Sequence, residues 1–233
     1  LAAFSSRLHW HCHFIQKLET QPSLEYQNMV RAFDGMREDD FDMEKFELWK
    51  NGKTGYPLVD ACMRALKEEG WLNFRMRAMV VSFASYNLWL DWKKTSKVLA
   101  AYFTDYEPGI HYNQVQMQSG VTGINTIRIY NPTKQLMDHD PKGTFVRKWC
   151  PELKDVSDDF LAQPHMLPVA AQKKYNCIIG KDYPTISVDL LQSSKFARDK
   201  IYAIKRLSNT RTQSLAAYDL HGSRKKSRNK YRS

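Results

Sequence analysis

The chain has 233 residues, long enough to bury one substantial core, and its 35 Lys and Arg against 25 Asp and Glu leave a formal charge of +10. It has no run of about 18 apolar residues, so no membrane-spanning helix and no membrane association are expected, and no signal peptide opens it. Cys12, Cys62, Cys150 and Cys177 stand far apart without a CxxC pair, which argues for reduced thiols in the cytoplasm or nucleus over a secreted disulfide scaffold.

Helices are expected almost throughout, with no internal repeat. Periodicity over residues 3–19 predicts a first helix, ended by Pro22. The charged stretch 31–42 reads as a surface loop. Pro57 can occupy the first turn of a helix whose apolar face is Leu58, Ala61, Cys62, Ala65 and Leu66, closed by Gly70. Residues 70–92 read as one apolar helix, with Met76, Met79, Val80, Phe83 and Leu88 marking its buried face. A shorter helix over 96–103 follows, capped by Thr95 or Ser96. Residues 105–132 hold Pro108, Gly109, Gly120, Gly123 and several Gln and Asn, and are expected to be mostly loop. A loop of that length in a compact domain is usually functional or disordered. Helix resumes over 142–149. Residues 164–184 read as a polar connector, 194–207 as a last basic helix, and 222–233 as a disordered, charge-rich tail. From Lys195 onward Lys and Arg far outnumber Asp, an asymmetry suited to a polyanion such as nucleic acid. The chain opens at Leu1 inside a periodic stretch and is expected to be part of a longer protein.

Arg77 lies beside the apolar face of the 70–92 segment, and the positions one turn away, Asn73, Val80 and Val81, cannot neutralise it. A charged guanidinium in such a place calls for a distant carboxylate, phosphate or ligand oxygen. Asp105 and Glu107 read either as turn carboxylates or, for Asp105, as the partner of Arg77. His9 and His13 share a helix face, but no further ligand cluster accompanies them, so no metal site is expected. No P-loop, GxGxxG or GxSxG motif is present, which argues against nucleoside-triphosphate, dinucleotide-fold and hydrolase chemistry within these residues.

The segments TGYPLVDACMRALKEEGWLNFRMR, WLDW, DYEPG and RIYNPTKQLMDHDPKGTFVRKWCPEL, in this order and spacing, resemble the FAD-binding helical domain of the DNA photolyase/cryptochrome family. The resemblance covers about residues 4–153, with a weaker echo around 195–226. It implies an all-α fold that lacks the family's antenna domain and the first part of the FAD domain, including the segment holding the flavin phosphates. Residues 1–163 would then be a partial FAD-binding domain, and 164–233 the connector, basic helix and tail. The implied cofactor is FAD, the implied partner is DNA containing pyrimidine dimers, and the protein would act as a monomer.

Carried over residue by residue, the resemblance puts Arg77 beside the flavin ring with Asp105 as its carboxylate partner. It makes Glu107 a second acid bonded to the ring, and puts His111 at flavin N5 in place of the usual Asn, where an imidazole would exchange a proton at physiological pH. His11 falls near the flavin diphosphate, and Asn73 at a cavity position often held by His or Asn. Trp10 matches the tryptophan that stacks on damaged bases, and Arg128 an arginine of the substrate cavity. Trp92 matches the middle member of the family's three-tryptophan electron route. The flavin-proximal member is replaced by Val115, a cavity tryptophan by Met117, and a dimer-contacting glutamate by Arg7. Trp89, Tyr86 and Tyr112 are alternative aromatics for that route, or core residues. The implied activity is light-driven dimer repair, with a cryptochrome-like signalling flavoprotein or an inactive fragment as alternatives.

Overall fold

The computed structural model describes residues 2–222. Twelve α-helices succeed one another among them: α1 Ala2–Thr20, α2 Met43–Lys50, α3 Pro57–Glu69, α4 Phe74–Ser82, α5 Trp92–Tyr102, α6 Pro108–Ser119, α7 Pro132–His139, α8 Thr144–Trp149, α9 Asp158–Leu161, α10 Val169–Lys174, α11 Leu190–Lys205 and α12 Ser208–His221. The one β-type pairing among the described residues is an isolated bridge between Ile179 and Tyr183, so the fold is all-α as expected.

The core centres on α3 and α4. Pro57 starts α3 where no intrahelical N–H is needed, and Gly70 ends it in the left-handed conformation at φ 72°. The five apolar residues expected on its inner face are all buried, as are the five expected in the following segment. That segment, however, is not one helix. Asn73 caps α4 by accepting from Met76 N, a π turn spans Phe83–Asn87, and Trp89 then adopts φ 57°. The left-handed backbone at a tryptophan costs about 1–2 kcal/mol. Trp89 is held there by the Arg37 guanidinium 4.4 Å from its ring and by an edge contact with Phe196. Asp91, rather than Thr95 or Ser96, caps α5 by accepting from Lys93 N, so that helix begins earlier than expected.

Three further expectations are corrected. Residues 31–42 are not a surface loop throughout, because Phe33 and Arg37 are buried and Arg37 Nη2 donates to the Ser119 carbonyl. The 164–184 stretch, read as a connector, carries Cys177 and Tyr183 into the core. Tyr183 is anchored there by Asp60, which also gathers Thr54 N, Thr54 Oγ1 and Gly55 N. The basic helix over 194–207 runs instead as α11 and is followed by α12. The tail expected beyond Gly222 lies outside the described residues.

The largest departure is α6, which puts a twelve-residue helix inside the loop expected over 105–132. Glu107 caps it, its two carboxylate oxygens accepting from Gly109 N and Ile110 N, and Gly120 closes it at φ 76°. Its buried polar residues have distant partners. Gln116 Nε2 donates to the carbonyls of Leu24 and Gln27, and its Oε1 accepts from Met29 N. Gly109 lets α1 cross closely, since a Cβ there would lie 2.7 Å from Ile15 Cα.

Candidate functional site

A cleft of about 330 Å³ opens between α4, α5, α6 and the turn joining the last two. α4 contributes Arg77, Ala78 and Val81. The cap and first turns of α6 contribute Glu107, Ile110 and His111, and its later turns Gln114, Val115 and Gln118. Phe103, Asp105 and Tyr106 line the connecting turn. Four residues singled out in the sequence, Arg77, Asp105, Glu107 and His111, therefore meet at one place.

Arg77 Nη2 lies 2.8 Å from Asp105 Oδ2, Nε donates to the Leu72 carbonyl at 2.6 Å, and the guanidinium sits 4.1 Å from the Phe103 ring centre. The pair is less buried than the sequence implied, with side chains 27% and 50% exposed. Solvent therefore screens the attraction, and the pair contributes about 1 kcal/mol or less to folding. Glu107 spends both oxygens on the α6 N-terminus.

His111 is buried, with its edges against Tyr106 and Tyr112 at 5.2 Å. Burial, seconded by the charge of Arg77, pushes its pKa down to about 4 against a stabilising bond to the Ser96 carbonyl. The ring is thus neutral at physiological pH, and the expected proton exchange in that range is corrected by the environment the fold provides.

Other expected site residues lie outside the cleft lining. Trp10 is 42% exposed on α1, where it stacks on Phe14 at 5.8 Å. His11 is exposed on the same helix, and Arg128 is exposed beyond α6. Met117 is half-buried. Asn73 acts as the α4 cap, while its neighbours Leu72 and Phe74 line the cleft. Trp92 is 2% exposed and donates from Nε1 to Asn28 Oδ1. Of the alternative aromatics, Tyr112 packs on His111, whereas Tyr86 and Trp89 surround Arg37. No group of three or more potential metal ligands exists among the described residues, and no helix among them is long and apolar enough to cross a membrane. All four cysteines are free.

Sequence reasoning missed Gln114 and Gln118. Had α6 been read as helix, His111, Gln114, Val115 and Gln118 would have fallen on one face at i, i+3, i+4 and i+7.

The cleft suits a planar heteroaromatic ring. Its walls are apolar, one cation with its carboxylate partner stands at one edge, and the amide oxygens of Gln114 and Gln118 are buried without hydrogen-bond partners. It does not suit a diphosphate, because Arg77 is the one lysine or arginine in its lining and is already paired with Asp105.

Comparison with known proteins identifies the domain. Residues 4–203 match the family model of the FAD binding domain of DNA photolyase. The chain is 38% identical over 161 residues to a cryptochrome DASH of Synechocystis sp., covering 69% of this chain and 33% of that protein. It is 34% identical over 158 residues to a deoxyribodipyrimidine photo-lyase of Alkalihalophilus pseudofirmus, covering 67% and 33%. A class III photolyase structure from Agrobacterium tumefaciens superposes with a TM-score of 0.79 at 31% identity, over 88% of this chain and 43% of that one. The chain spans about a third of the length of these curated relatives. These matches and the all-α frame make the chain a member of the DNA photolyase/cryptochrome family, with residues 4–203 corresponding to its FAD-binding domain.

Proposed function

We propose that the protein carrying this chain repairs pyrimidine dimers in DNA by light-driven electron transfer from reduced FAD. The observation that carries the reading is the convergence of Arg77, Asp105 and His111 on one apolar, ring-sized cleft. FAD, when bound, supplies the photochemistry, donating an electron that splits the dimer and recovering it afterwards. Arg77 would hold the polar edge of the ring and stabilise negative charge there, with Asp105 orienting the guanidinium. His111, neutral and committed through Nε2 to the Ser96 carbonyl, offers Nδ1 as an acceptor for a ring N–H. Leu72, Val81, Leu99 and Val115, which line the cleft, would keep water from the ring. A dimer must leave the duplex to approach a ring held in a cleft. Trp10, exposed on α1, is the proposed stacking platform, with Arg128 beside the lesion and surface cations on the phosphates.

A cryptochrome-like signalling role is the second reading. It is favoured by Met117 and Arg7 standing where the resemblance calls for the cavity tryptophan and the dimer-contacting glutamate.

Illumination of the reduced, FAD-loaded protein with oligonucleotides containing a cyclobutane or a (6-4) lesion tests the proposal. Light-dependent recovery of intact pyrimidines is expected. Stable FAD binding with repair of neither lesion would overturn the repair reading and leave the signalling one.

A further inference from the structure

Gln114 and Gln118 lie one turn apart on α6, and both line the cleft. The amide oxygen of each is buried with no hydrogen-bond partner, although Gln118 is only 6% exposed. Gln116, on the opposite side of the same helix, has both its amide oxygen and its amide nitrogen engaged by backbone groups. Leaving a buried amide oxygen unpaired costs its full desolvation free energy, and a leucine of similar size would avoid that cost. Two such groups at helical spacing, facing one apolar cavity, are therefore placed for a ligand.

The ligand chemistry follows from the groups. A carboxamide is uncharged and offers an acceptor oxygen beside donor N–H groups. Its complement is an uncharged edge with a ring N–H beside a carbonyl, the imide edge of a pyrimidine ring. Gln118 stands eleven residues beyond Glu107 on the helix, about 16 Å at 1.5 Å per residue. The charged groups at the Arg77–Asp105 edge thus leave the far part of the cleft to neutral recognition.

We propose that Gln114 and Gln118 read the two imide edges of a thymine dimer, one each, every amide oxygen accepting from one ring N3–H and the amide nitrogen donating to the adjacent carbonyl. This rests on the reading of the cleft as the flavin and lesion pocket. That reading puts the flavin's own pyrimidine ring at the Arg77 edge, so the imides read here are those of the two thymines of the substrate.

The test is a fluorescence titration of the chain with lumiflavin and with N3-methyllumiflavin, alongside calorimetric titration with a thymine cyclobutane-dimer dinucleotide and its N3-methylated form. The wild-type chain binds the N3–H form of the dinucleotide tenfold or more tightly than its methylated form. Gln114→Leu and Gln118→Leu bring that ratio close to one, with an unchanged or raised thermal midpoint because an unpaired buried amide has gone. Gln118→Met, with a flexible chain of similar length, serves as a second variant should the leucine pack poorly. Discrimination confined to the dinucleotide pair is the expected result, and discrimination confined to the lumiflavin pair overturns the proposal by placing the flavin's imide at the glutamines. Binding of lumiflavin with no N3 discrimination for either ligand overturns the glutamine assignment alone. Failure of every ligand to bind overturns the flavin reading of the cleft along with it.

Discussion

His111 donates from Nε2 to the Ser96 carbonyl at 2.9 Å, which joins α6 to α5 and fixes the imidazole in one tautomer. With its pKa held down to about 4 by burial and by Arg77, against about 6.5 in an unfolded chain, the fold favours the neutral ring. The associated stability is complete above pH 6.5 and is lost as pH falls from 6.5 towards 4, by at most about 3 kcal/mol. His221, also pushed down to about 4 by burial, acts in the same direction over the same window.

His111→Asn is therefore expected to lose less stability than the wild type between pH 7 and pH 4.5, measured by denaturant unfolding at both values. Equal losses in the two proteins would show that His111 is not buried as a neutral ring. With its pKa held down to about 4, His111 is expected to leave flavin radical decay flat between pH 6 and 8; a decay that varies with pH in that range and becomes flat in His111→Asn would overturn the neutral-ring assignment.

Arg77→Ala removes the contacts to Asp105, Leu72 and Phe103. Folding stability should change little through the ion pair itself, since Asp105 is half exposed. Affinity for the flavin ring should fall by roughly ten- to a hundredfold, the loss of a charge-assisted hydrogen bond of about 1.5–3 kcal/mol. Unchanged flavin retention and reduction potential would remove Arg77 from the cofactor site.

Tyr183→Phe should destabilise the fold by about 1–3 kcal/mol, because Asp60 loses one buried donor. Asp60→Ala should cost more, since Thr54 N, Gly55 N and the Tyr183 hydroxyl would all be left unpaired. Chemical denaturation of the two variants checks the order. A Tyr183→Phe variant as stable as the wild type would mean that residues 177–183 contribute nothing to the core.

Trp10→Ala is expected to weaken binding of dimer-containing DNA by about 1–3 kcal/mol, the value of stacking on one base, and to spare undamaged DNA. Both affinities should fall with added salt through counterion release. Competition binding at two salt concentrations measures both effects. An equal loss for damaged and undamaged DNA would make Trp10 a general surface contact.

Local chemistry made some of this legible in the chain alone. Pro57 and Gly70 delimit α3 because proline suits the first helical turn and glycine the left-handed cap, and both act on neighbouring residues. The apolar residues around Arg77 announced burial, and the need of a guanidinium for a distant carboxylate pointed to Asp105. Helix α6 was not legible. Its glycine, asparagine and glutamines carry the marks of a loop, and the groups that satisfy Gln116 lie about ninety residues away in the chain. Nor did local pattern reveal that the Arg37 guanidinium is buried between Trp89 and the Ser119 carbonyl.

By itself the sequence determined the helical class and offered Asp105 as a partner for Arg77, because periodicity, caps and unpaired charge are properties of short stretches, while Glu107 and His111 were singled out by the family resemblance. Tertiary structure alone decided that α6 is a helix, that His111 stays neutral, and that Gln114 and Gln118 face the cleft unpaired. Each of these depends on desolvation and hydrogen bonding by segments remote in the chain, and neither exists until the chain has folded.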